Sequence, residues 1–157
     1  MAKILIAYYS RSNNTKKMAE YVQEGVKKEK VDCDLKNVEE LNASDLLGYG
    51  GIIIGSPTYY GLLSAEVKKL FDDSVEFHGQ LEGKVGAAFS SAANIGGGNE
   101  TAILSILEAM LIHGMIIRGN SQGDHYGPVS IGTPDERVKK QCLNLGIRTA
   151  ELVKKNS

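Results

Sequence analysis

The chain has no tryptophan, only two cysteines and three prolines among its 157 residues, and no long hydrophobic run. Cys33 and Cys142 are far apart, form no Cys-x-x-Cys motif and have no histidine cluster beside them, which argues against a metal site or a dithiol redox centre. Eighteen basic residues nearly balance nineteen acidic ones, so we expect no nucleic-acid partner. No apolar stretch approaches the roughly 18 residues of a membrane span, and residues 4–9 are too short for a signal-peptide core. We therefore expect a soluble, cytoplasmic protein without a membrane partner.

Short apolar segments alternate with amphipathic ones along the whole chain, and we expect a single domain over residues 1–157. Two of the predicted helices have apolar residues at helical spacing on one face. The helix after the third strand is predicted to bury Val67, Leu70, Phe71 and Val75, and the last helix Val138, Cys142, Leu145 and Leu152. Strands are predicted at about residues 3–9, 31–38, 51–55, 84–89 and 115–117. This alternation predicts an α/β fold, a doubly wound sheet of five parallel strands in the order 2-1-3-4-5 with helices on both faces.

Three polar or glycine-rich segments follow the first, third and fourth predicted strands. They are the first turn (residues 10–15), the tyrosine turn (residues 56–61) and the glycine-rich loop (residues 90–100). In a doubly wound sheet, ligands bind outside the carboxyl ends of the strands, where the strand order reverses. We therefore expect all three segments to lie on one rim of the sheet. A response-regulator receiver shares this order but needs an aspartate at the end of the third strand, where this chain has Gly55, Ser56 and Pro57.

The first turn joins an apolar strand to a helix and consists almost entirely of hydroxyl and amide side chains. Backbone amides, hydroxyl groups and the positive end of the helix dipole can together hold a phosphate group without a lysine. Neither Gly-x-x-x-x-Gly-Lys-Ser/Thr nor Gly-x-Gly-x-x-Gly after a strand occurs in the chain. The alternative interpretation is an ordinary helix N-cap, in which Ser12 or Asn13 satisfies the free amides of the first helical turn.

The tyrosine turn places Tyr59 and Tyr60 between a proline and a glycine. An aromatic ring at this end of the sheet can cover a flat ligand, and Gly61 would let the backbone approach that ligand and reorient a carbonyl. The alternative is a turn started by Pro57 whose tyrosines cap the edge of the sheet. Considered alone, the turn favours that alternative.

The glycine-rich loop removes side chains over three successive residues, 96–98. Its amides would be able to approach a ligand ring and stabilise negative charge on it. The alternative is a flexible loop that leads to a helix capped by Asn99 and supported by Glu100. The coincidence of three such segments on one rim favours a ligand site.

The first turn resembles the FMN-phosphate loop of flavodoxin-like proteins, in which Ser/Thr-x-Ser/Thr-x-Asn-Thr follows the first strand. Ser10, Ser12, Asn14 and Thr15 match that pattern. Asn13 stands where many members have glycine, and asparagine tolerates positive φ better than most residues. The resemblance implies the flavodoxin-like fold and FMN as the cofactor.

The tyrosine turn, the glycine-rich loop and the segment His113-Gly114-Met115 resemble the corresponding segments of the WrbA-type NAD(P)H:quinone oxidoreductase branch of that family. The resemblance extends over nearly the whole chain. For His113 the residues alone leave a second interpretation open, in which it caps the last carbonyls of its helix. The resemblance implies that no residue of the chain is a catalytic acid, base or nucleophile, and that FMN carries the chemistry. The residues that it implicates in cofactor binding are Ser10, Arg11, Ser12, Asn13, Asn14, Thr15, Pro57, Thr58, Tyr59, Tyr60, Gly61, Ser91, Ala92, Ala93, Asn94, Ile95, Gly96, Gly97 and His113.

The same resemblance implies that NADH or NADPH reduces the flavin, which then passes two electrons to a quinone or a similar acceptor. His125 and Tyr126, in the glycine- and proline-containing residues 119–134, are candidates to border the substrate side. The chain lacks the insertion that helps WrbA-type proteins form tetramers, so a homodimer and a homotetramer both remain open. The alternative function is that of a flavodoxin-type electron carrier between redox protein partners. Such carriers are typically strongly acidic, whereas the net charge here is −1.

Overall fold

The computed structural model describes residues 2–157. Strands and helices alternate through most of the chain, as the apolar pattern predicts. The strands are β1 (Lys3–Tyr8), β2 (Asp32–Asn37), β3 (Gly51–Pro57), β4 (Val85–Ala92), β5 (Ile116–Ile117) and β6 (Val129–Ile131). The helices are α1 (Asn14–Lys28), α2 (Ala65–Asp73), α3 (Asn99–Ile112) and α4 (Glu136–Lys155). Short 3-10 helices occupy Val38–Glu40, Ala43–Gly48 and Ser74–Phe77.

All strand pairs in the sheet are parallel, and the order is β2-β1-β3-β4-β5. The predicted order 2-1-3-4-5 is confirmed, and so is the position of β2 at an edge. The prediction missed β6, which pairs with Ser90–Ala92 of β4, while β5 pairs with Val85 and Gly86. The fifth position of the sheet is therefore shared by two short strands, with residues 118–128 between them.

The core lies in two layers because β1 and β3 are covered on both faces. Leu5, Ile52 and Ile54 pack with α2 and α3, whereas the alternate residues Ile4 and Ile6 pack with α1 and α4. Every residue of β3 is buried, which is what its continuous apolar run predicts for a central parallel strand. Within the described residues, none of the helices has the combined length and apolarity that crossing a membrane requires.

The buried face of the second predicted helix needs one correction. Val67 and Leu70 are buried, and Phe71 packs partly buried against the same core. Val75 instead leaves 70% of its surface exposed. The reason is that α2 ends at Asp73, and the 3-10 helix that follows breaks the 3.6-residue period on which the prediction rested.

Helices α1 and α4 approach each other more closely than side chains would allow, because each has a glycine at the contact. A Cβ atom added to Gly25 would lie 2.1 Å from the carbonyl oxygen of Leu143. A Cβ atom added to Gly146 would lie 2.2 Å from the carbonyl oxygen of Val22. The contact fixes the position of α1, whose first two residues, Asn14 and Thr15, belong to the first turn.

Candidate functional site

The first turn connects β1 to α1 through one residue in the left-handed region. Asn13 has φ = 67° and precedes the first helical residue, Asn14. The asparagine therefore adopts the positive φ that it tolerates better than most residues. No side-chain capping bond forms at Asn13 in the described structure, which argues against the N-cap interpretation. The Ser10 hydroxyl instead accepts a hydrogen bond from the Lys16 amide at 3.3 Å. The amides of Asn14 and Thr15 have no acceptor within the helix, as is usual for a first turn, and face the position at which the dipole favours an anion.

One buried hydrogen bond ties the first turn to the glycine-rich loop. The hydroxyl oxygens of Thr15 and Ser91 lie 2.8 Å apart, and both residues are buried. Since Ser91 belongs to β4 and Thr15 to α1, this bond fixes the distance between the start of the helix and the end of the strand. The residues that sequence reasoning assigned to two separate loops are thus directly linked.

The tyrosine turn is a two-residue hairpin. The amide of Tyr59 donates to the carbonyl of Leu62 at 3.0 Å, and the Leu62 amide donates back at 3.1 Å. The two central residues, Tyr60 and Gly61, have φ values of 49° and 81°, and positive φ at both positions is the requirement of a type I′ turn. Tyr60 is fully exposed at the tip, whereas Tyr59 is half-buried. The sequence left open which tyrosine meets a ligand, and this geometry favours Tyr59.

A network of hydroxyl groups supports the tyrosine turn from below. The Ser90 hydroxyl lies 2.8 Å from that of Thr58 and donates to the carbonyl of Ser56 at 2.8 Å. The Ser56 hydroxyl accepts from the amide of Ser64, also at 2.8 Å. Ser56 and Ser90 are fully buried. They are not among the predicted site residues, although hydroxyl residues at the ends of otherwise apolar strands were a signal that would have identified them.

The glycine-rich loop turns at Asn94, whose carbonyl accepts from the Gly97 amide at 3.1 Å, and Gly96 in this turn has φ = 75°. The residue that caps α3 is Gly98, with φ = 102°, and the helix begins at Asn99. The alternative interpretation made Asn99 the cap of this helix, whereas the structure has the cap one residue earlier. Gly98 takes the capping position because it packs against Gly61, where a side chain would not fit: a Cβ atom would lie 2.6 Å from the Gly61 Cα.

The three segments meet at the carboxyl edge of the sheet around a cavity of about 280 Å³, which we call the rim cavity. Gly132, which follows β6, is the one lining residue that was not predicted, and its amide donates to the Ala92 carbonyl at 2.8 Å. The predicted residues that line the cavity are Arg11, Ser12, Asn14, Thr15, Pro57, Thr58, Tyr59, Ser91, Ala92 and Ala93. Predicted residues in the same three segments that do not line it are Ser10, Asn13, Tyr60, Gly61, Asn94, Ile95, Gly96 and Gly97.

Arg11 gives the rim cavity a positive charge. Its Nε donates to the Tyr9 hydroxyl oxygen at 3.3 Å, and its guanidinium carbon lies 5.1 Å from the centre of the Tyr59 ring. The hydrogen bond to Tyr9 raises the pKa of Arg11, and burial raises the pKa of Tyr59. At neutral pH the guanidinium is therefore charged and Tyr59 is neutral. A cation over the face of a tyrosine also orients that ring.

His113 is not brought to the rim cavity. It follows α3, and its neighbour Gly114 accepts a hydrogen bond from the amide of Gly83, just before β4 begins. The three segments lie beyond the other end of β4, eight residues away along the strand, or about 26 Å. A helix that follows a parallel strand returns the chain to the amino ends of the strands, so contact between His113 and a cofactor in the rim cavity of the same chain is excluded by the topology.

His113 is nevertheless held in place by specific hydrogen bonds of its backbone and its ring. It is the C-cap residue of α3, its amide donates to the Ala109 carbonyl, and its Nε2 lies 2.8 Å from the Ser74 hydroxyl oxygen. Because the Ser74 hydroxyl donates to the Phe71 carbonyl at 2.7 Å, it can only accept from His113, which makes Nε2 the protonated nitrogen. Burial, together with the nearby His78 ring, lowers the pKa of His113.

Residues 119–134 contribute only Gly132 to the lining of the rim cavity. His125 is held by its own segment, with Nδ1 2.8 Å from the carbonyl oxygen of Asn120, and it is absent from the cavity lining, as is Tyr126. Asp124 pairs with Arg137 of α4 at 2.8 Å and accepts from the Val129 amide at 3.0 Å. Residues 118–128 connect β5 to β6, and residues 129–131 are β6 itself.

The sequence and fold agree with those of known proteins. The Flavodoxin family profile matches residues 6–102. A flavodoxin from Aquifex aeolicus is 42% identical, over 98% of this chain and 88% of that protein. An NAD(P)H dehydrogenase (quinone) from Archaeoglobus fulgidus is 32% identical, over 99% of each chain. The crystal structure of a WrbA-like flavodoxin from Agrobacterium tumefaciens shares the fold, with a TM-score of 0.84 over 100% of both chains at 22% identity.

These findings confirm the resemblance on which the fold and the cofactor were predicted. The relatives include both flavodoxins and NAD(P)H dehydrogenases (quinone), and each group has a member that matches nearly the whole chain. The chain belongs to the flavodoxin family, and this membership implies FMN as its cofactor.

Proposed function

We propose that the protein binds FMN in the rim cavity and uses it to transfer electrons from NADH or NADPH to a quinone. The observation that carries this proposal is the convergence of the first turn, the tyrosine turn and the glycine-rich loop on one cavity. The cavity has hydroxyl and amide groups on one side and an aromatic ring on another. Such a division suits a ligand with a phosphate at one end and a flat ring at the other.

The phosphate would be held by the first turn. Ser12 and Asn14 line the cavity, and within residues 2–157 neither side chain makes a hydrogen bond. The first amides of α1 and the helix dipole add donors and a partial positive charge. The guanidinium of Arg11, at the cavity wall, adds a full positive charge that favours a dianion over a neutral ligand.

The ring would lie against Tyr59. When bound, FMN supplies reversible hydride and electron transfer, which none of the side chains around the cavity can provide. Tyr59 offers a flat apolar face, and Ala92 and Ala93 at the end of β4 leave room for a ring edge. Asn94, Ile95, Gly96 and Gly97 follow directly, where they would border the ring. The Gly97 amide is bonded to the Asn94 carbonyl, so the amides that could serve the ring are those of residues 94–96.

A quinone would reach the ring from the open side of the rim. Tyr60, Ile95 and Tyr126 expose 107%, 88% and 53% of their surface. The first two belong to the tyrosine turn and the glycine-rich loop, and Tyr126 precedes Pro128, whose carbonyl accepts from the Ser90 amide near the end of β4. These side chains offer an apolar surface to an apolar acceptor. The relatives named NAD(P)H dehydrogenase (quinone) support this choice.

The second candidate function is electron transfer between protein partners without an enzymatic substrate. It is supported by the relatives named flavodoxin. The same three exposed side chains would then contact a partner protein around the flavin edge. A net charge of −1 gives weaker long-range steering of a basic partner than a strongly acidic surface would.

The two functions are separated by an anaerobic visible spectrum of the protein with FMN, recorded before and after NADPH and then NADH are added. If bound flavin bleaches rapidly and colour returns when a quinone is added, the enzymatic function is supported. Bound flavin that stays oxidised with both nicotinamides supports the carrier. Absence of bound flavin overturns both.

A further inference from the structure

One hydroxyl group connects two of the three segments around the rim cavity. Thr101, in the first turn of α3, donates to the carbonyl of Gly61 in the tyrosine turn and to the carbonyl of Gly98 at 2.6 Å. A hydroxyl has one proton, so the two carbonyls share it and must lie close together. One helical turn later, the Ser105 hydroxyl accepts from the amide of Leu63 at 3.2 Å. One face of α3 thus holds the tip of the tyrosine turn at Gly61 and the chain just after the turn at Leu63.

The contact leaves no room for the turn and the loop to approach further. Gly98 already packs against Gly61 so closely that a Cβ atom would lie 2.6 Å from the Gly61 Cα. The turn also contains Tyr60 at φ = 49°, a conformation that a non-glycine residue adopts only where its surroundings enforce it. Without a tether, the turn would populate other conformations, and Tyr59 would move with it.

We propose that Thr101 is a positioning residue, which holds the tyrosine turn against the glycine-rich loop and thereby fixes the Tyr59 wall of the rim cavity before a flat ring binds. This inference rests on the proposed function, since the ring is that of FMN. Thr101 does not line the cavity, so its effect is on preorganisation: a ring that enters a fixed slot need not order the turn on binding. The phosphate site in the first turn lies outside the reach of this tether.

The test compares Thr101→Val, which keeps the side-chain shape without the hydroxyl, with Thr101→Ser, which keeps the hydroxyl. Hydrogen exchange at the Leu62 amide is measured without flavin, because that amide closes the turn. Affinities for FMN and for riboflavin, which has no phosphate, are measured by quenching of flavin fluorescence. We expect Thr101→Val to speed exchange at Leu62 and to weaken both ligands by the same factor, about three- to tenfold, the worth of one hydrogen bond. Thr101→Ser should restore both values.

Unchanged exchange at Leu62 in Thr101→Val, or unchanged flavin affinity, would overturn the inference. So would a loss of FMN affinity that riboflavin does not share, because it would assign Thr101 to the phosphate end. If Thr101→Ser behaves as the valine variant does, the hydroxyl is not the tether. If the wild-type protein binds neither flavin, the proposed function fails, and exchange at Leu62 alone then decides whether Thr101 holds the turn.

Discussion

A carboxylate placed in the first turn should repel FMN through its phosphate. Ser12 is the position for this change, because it lines the rim cavity and its side chain is exposed. Ser12→Asp adds one negative charge without disturbing a buried contact, whereas Thr15 is buried and bonded to Ser91. Ser12→Asn is the matched control, since asparagine has the shape of aspartate without its charge.

The size of the effect follows from Coulomb's law. A phosphate dianion about 5 Å from one carboxylate, at an effective dielectric constant between about 40 and 80, is repelled by roughly 2–3 kcal/mol. That energy corresponds to a loss of FMN affinity of about 30- to 150-fold. The positive end of the α1 dipole acts on the new carboxylate equally with and without FMN, so it does not change this difference in affinity.

The assay is a fluorescence titration of each variant with FMN and with riboflavin. FMN affinity should fall in Ser12→Asp and stay near the wild-type value in Ser12→Asn, while riboflavin affinity should be the same in all three proteins. Added salt should reduce the difference, because the site is exposed. Lowering the pH through about 6, the second pKa of a phosphate monoester, should roughly halve the repulsion.

The reasoning would be refuted if Ser12→Asp weakened FMN and riboflavin equally, because the turn would then support the ring or the fold instead of the phosphate. If neither affinity changed, the phosphate would lie elsewhere. A fall in Ser12→Asn as large as that in Ser12→Asp would show that the hydroxyl, and not the charge, decides.

Three further predictions concern stability and titration. Thr15→Val and Ser91→Ala should each lower the free energy of unfolding in urea by about 1–3 kcal/mol, and the double variant by less than the sum, because each single change leaves a buried hydroxyl unpaired. Gly146→Ala should destabilise by about 1–3 kcal/mol through the α1 contact, whereas Gly48→Ala, where a Cβ meets nothing within 4 Å, should lie within about 0.5 kcal/mol of wild type in the same urea assay. An NMR titration should give His113 a midpoint below 6.5. Because folding lowers the pKa of His113, the neutral imidazole contributes fully to the free energy of unfolding above about pH 6.5. That contribution is lost as the pH falls from about 6.5 through the pKa of His113 in the folded protein.

The strand order and the position of the three segments could be predicted because both depend on local patterns. Each apolar run is short and bounded by turn residues, and right-handed crossovers bring the carboxyl ends of parallel strands to one edge. The contacts that join the segments could not be predicted. The Thr15–Ser91 bond spans 76 residues, and the Thr101–Gly61 bond spans 40, so neither leaves a periodic signal. The three-residue strand β6 was missed for the same reason, since only its pairing with β4 defines it.

His113 illustrates a different limit. The segment His113-Gly114-Met115 suggested a cofactor contact by resemblance, but the chain's own topology places it beside the start of β4. A second cavity of about 420 Å³ lies there, lined by His113, His78 and Phe71 among others. His113 does lie at the helix end as the C-cap residue of α3, but its ring bonds to Ser74 instead of capping the last carbonyls, and only its backbone amide donates to the Ala109 carbonyl.

The hydroxyl groups at the carboxyl edge divide into two sets with different roles. Ser56 and Ser90 are fully buried, and their hydroxyl groups bond to other protein groups. They therefore support the tyrosine turn and are not exposed to form a hydrogen bond with a ligand. Ser12 is exposed in the rim cavity, where a ligand would find its hydroxyl free to bond. Ser90→Ala should therefore lower the urea-unfolding free energy by about 1–3 kcal/mol and affect FMN and riboflavin alike, whereas Ser12→Asp should weaken FMN but not riboflavin, with little change in stability. If Ser90→Ala weakened FMN alone and the Ser12 change affected FMN and riboflavin alike, the hydroxyl network under the tyrosine turn, and not the first turn, would recognise the phosphate.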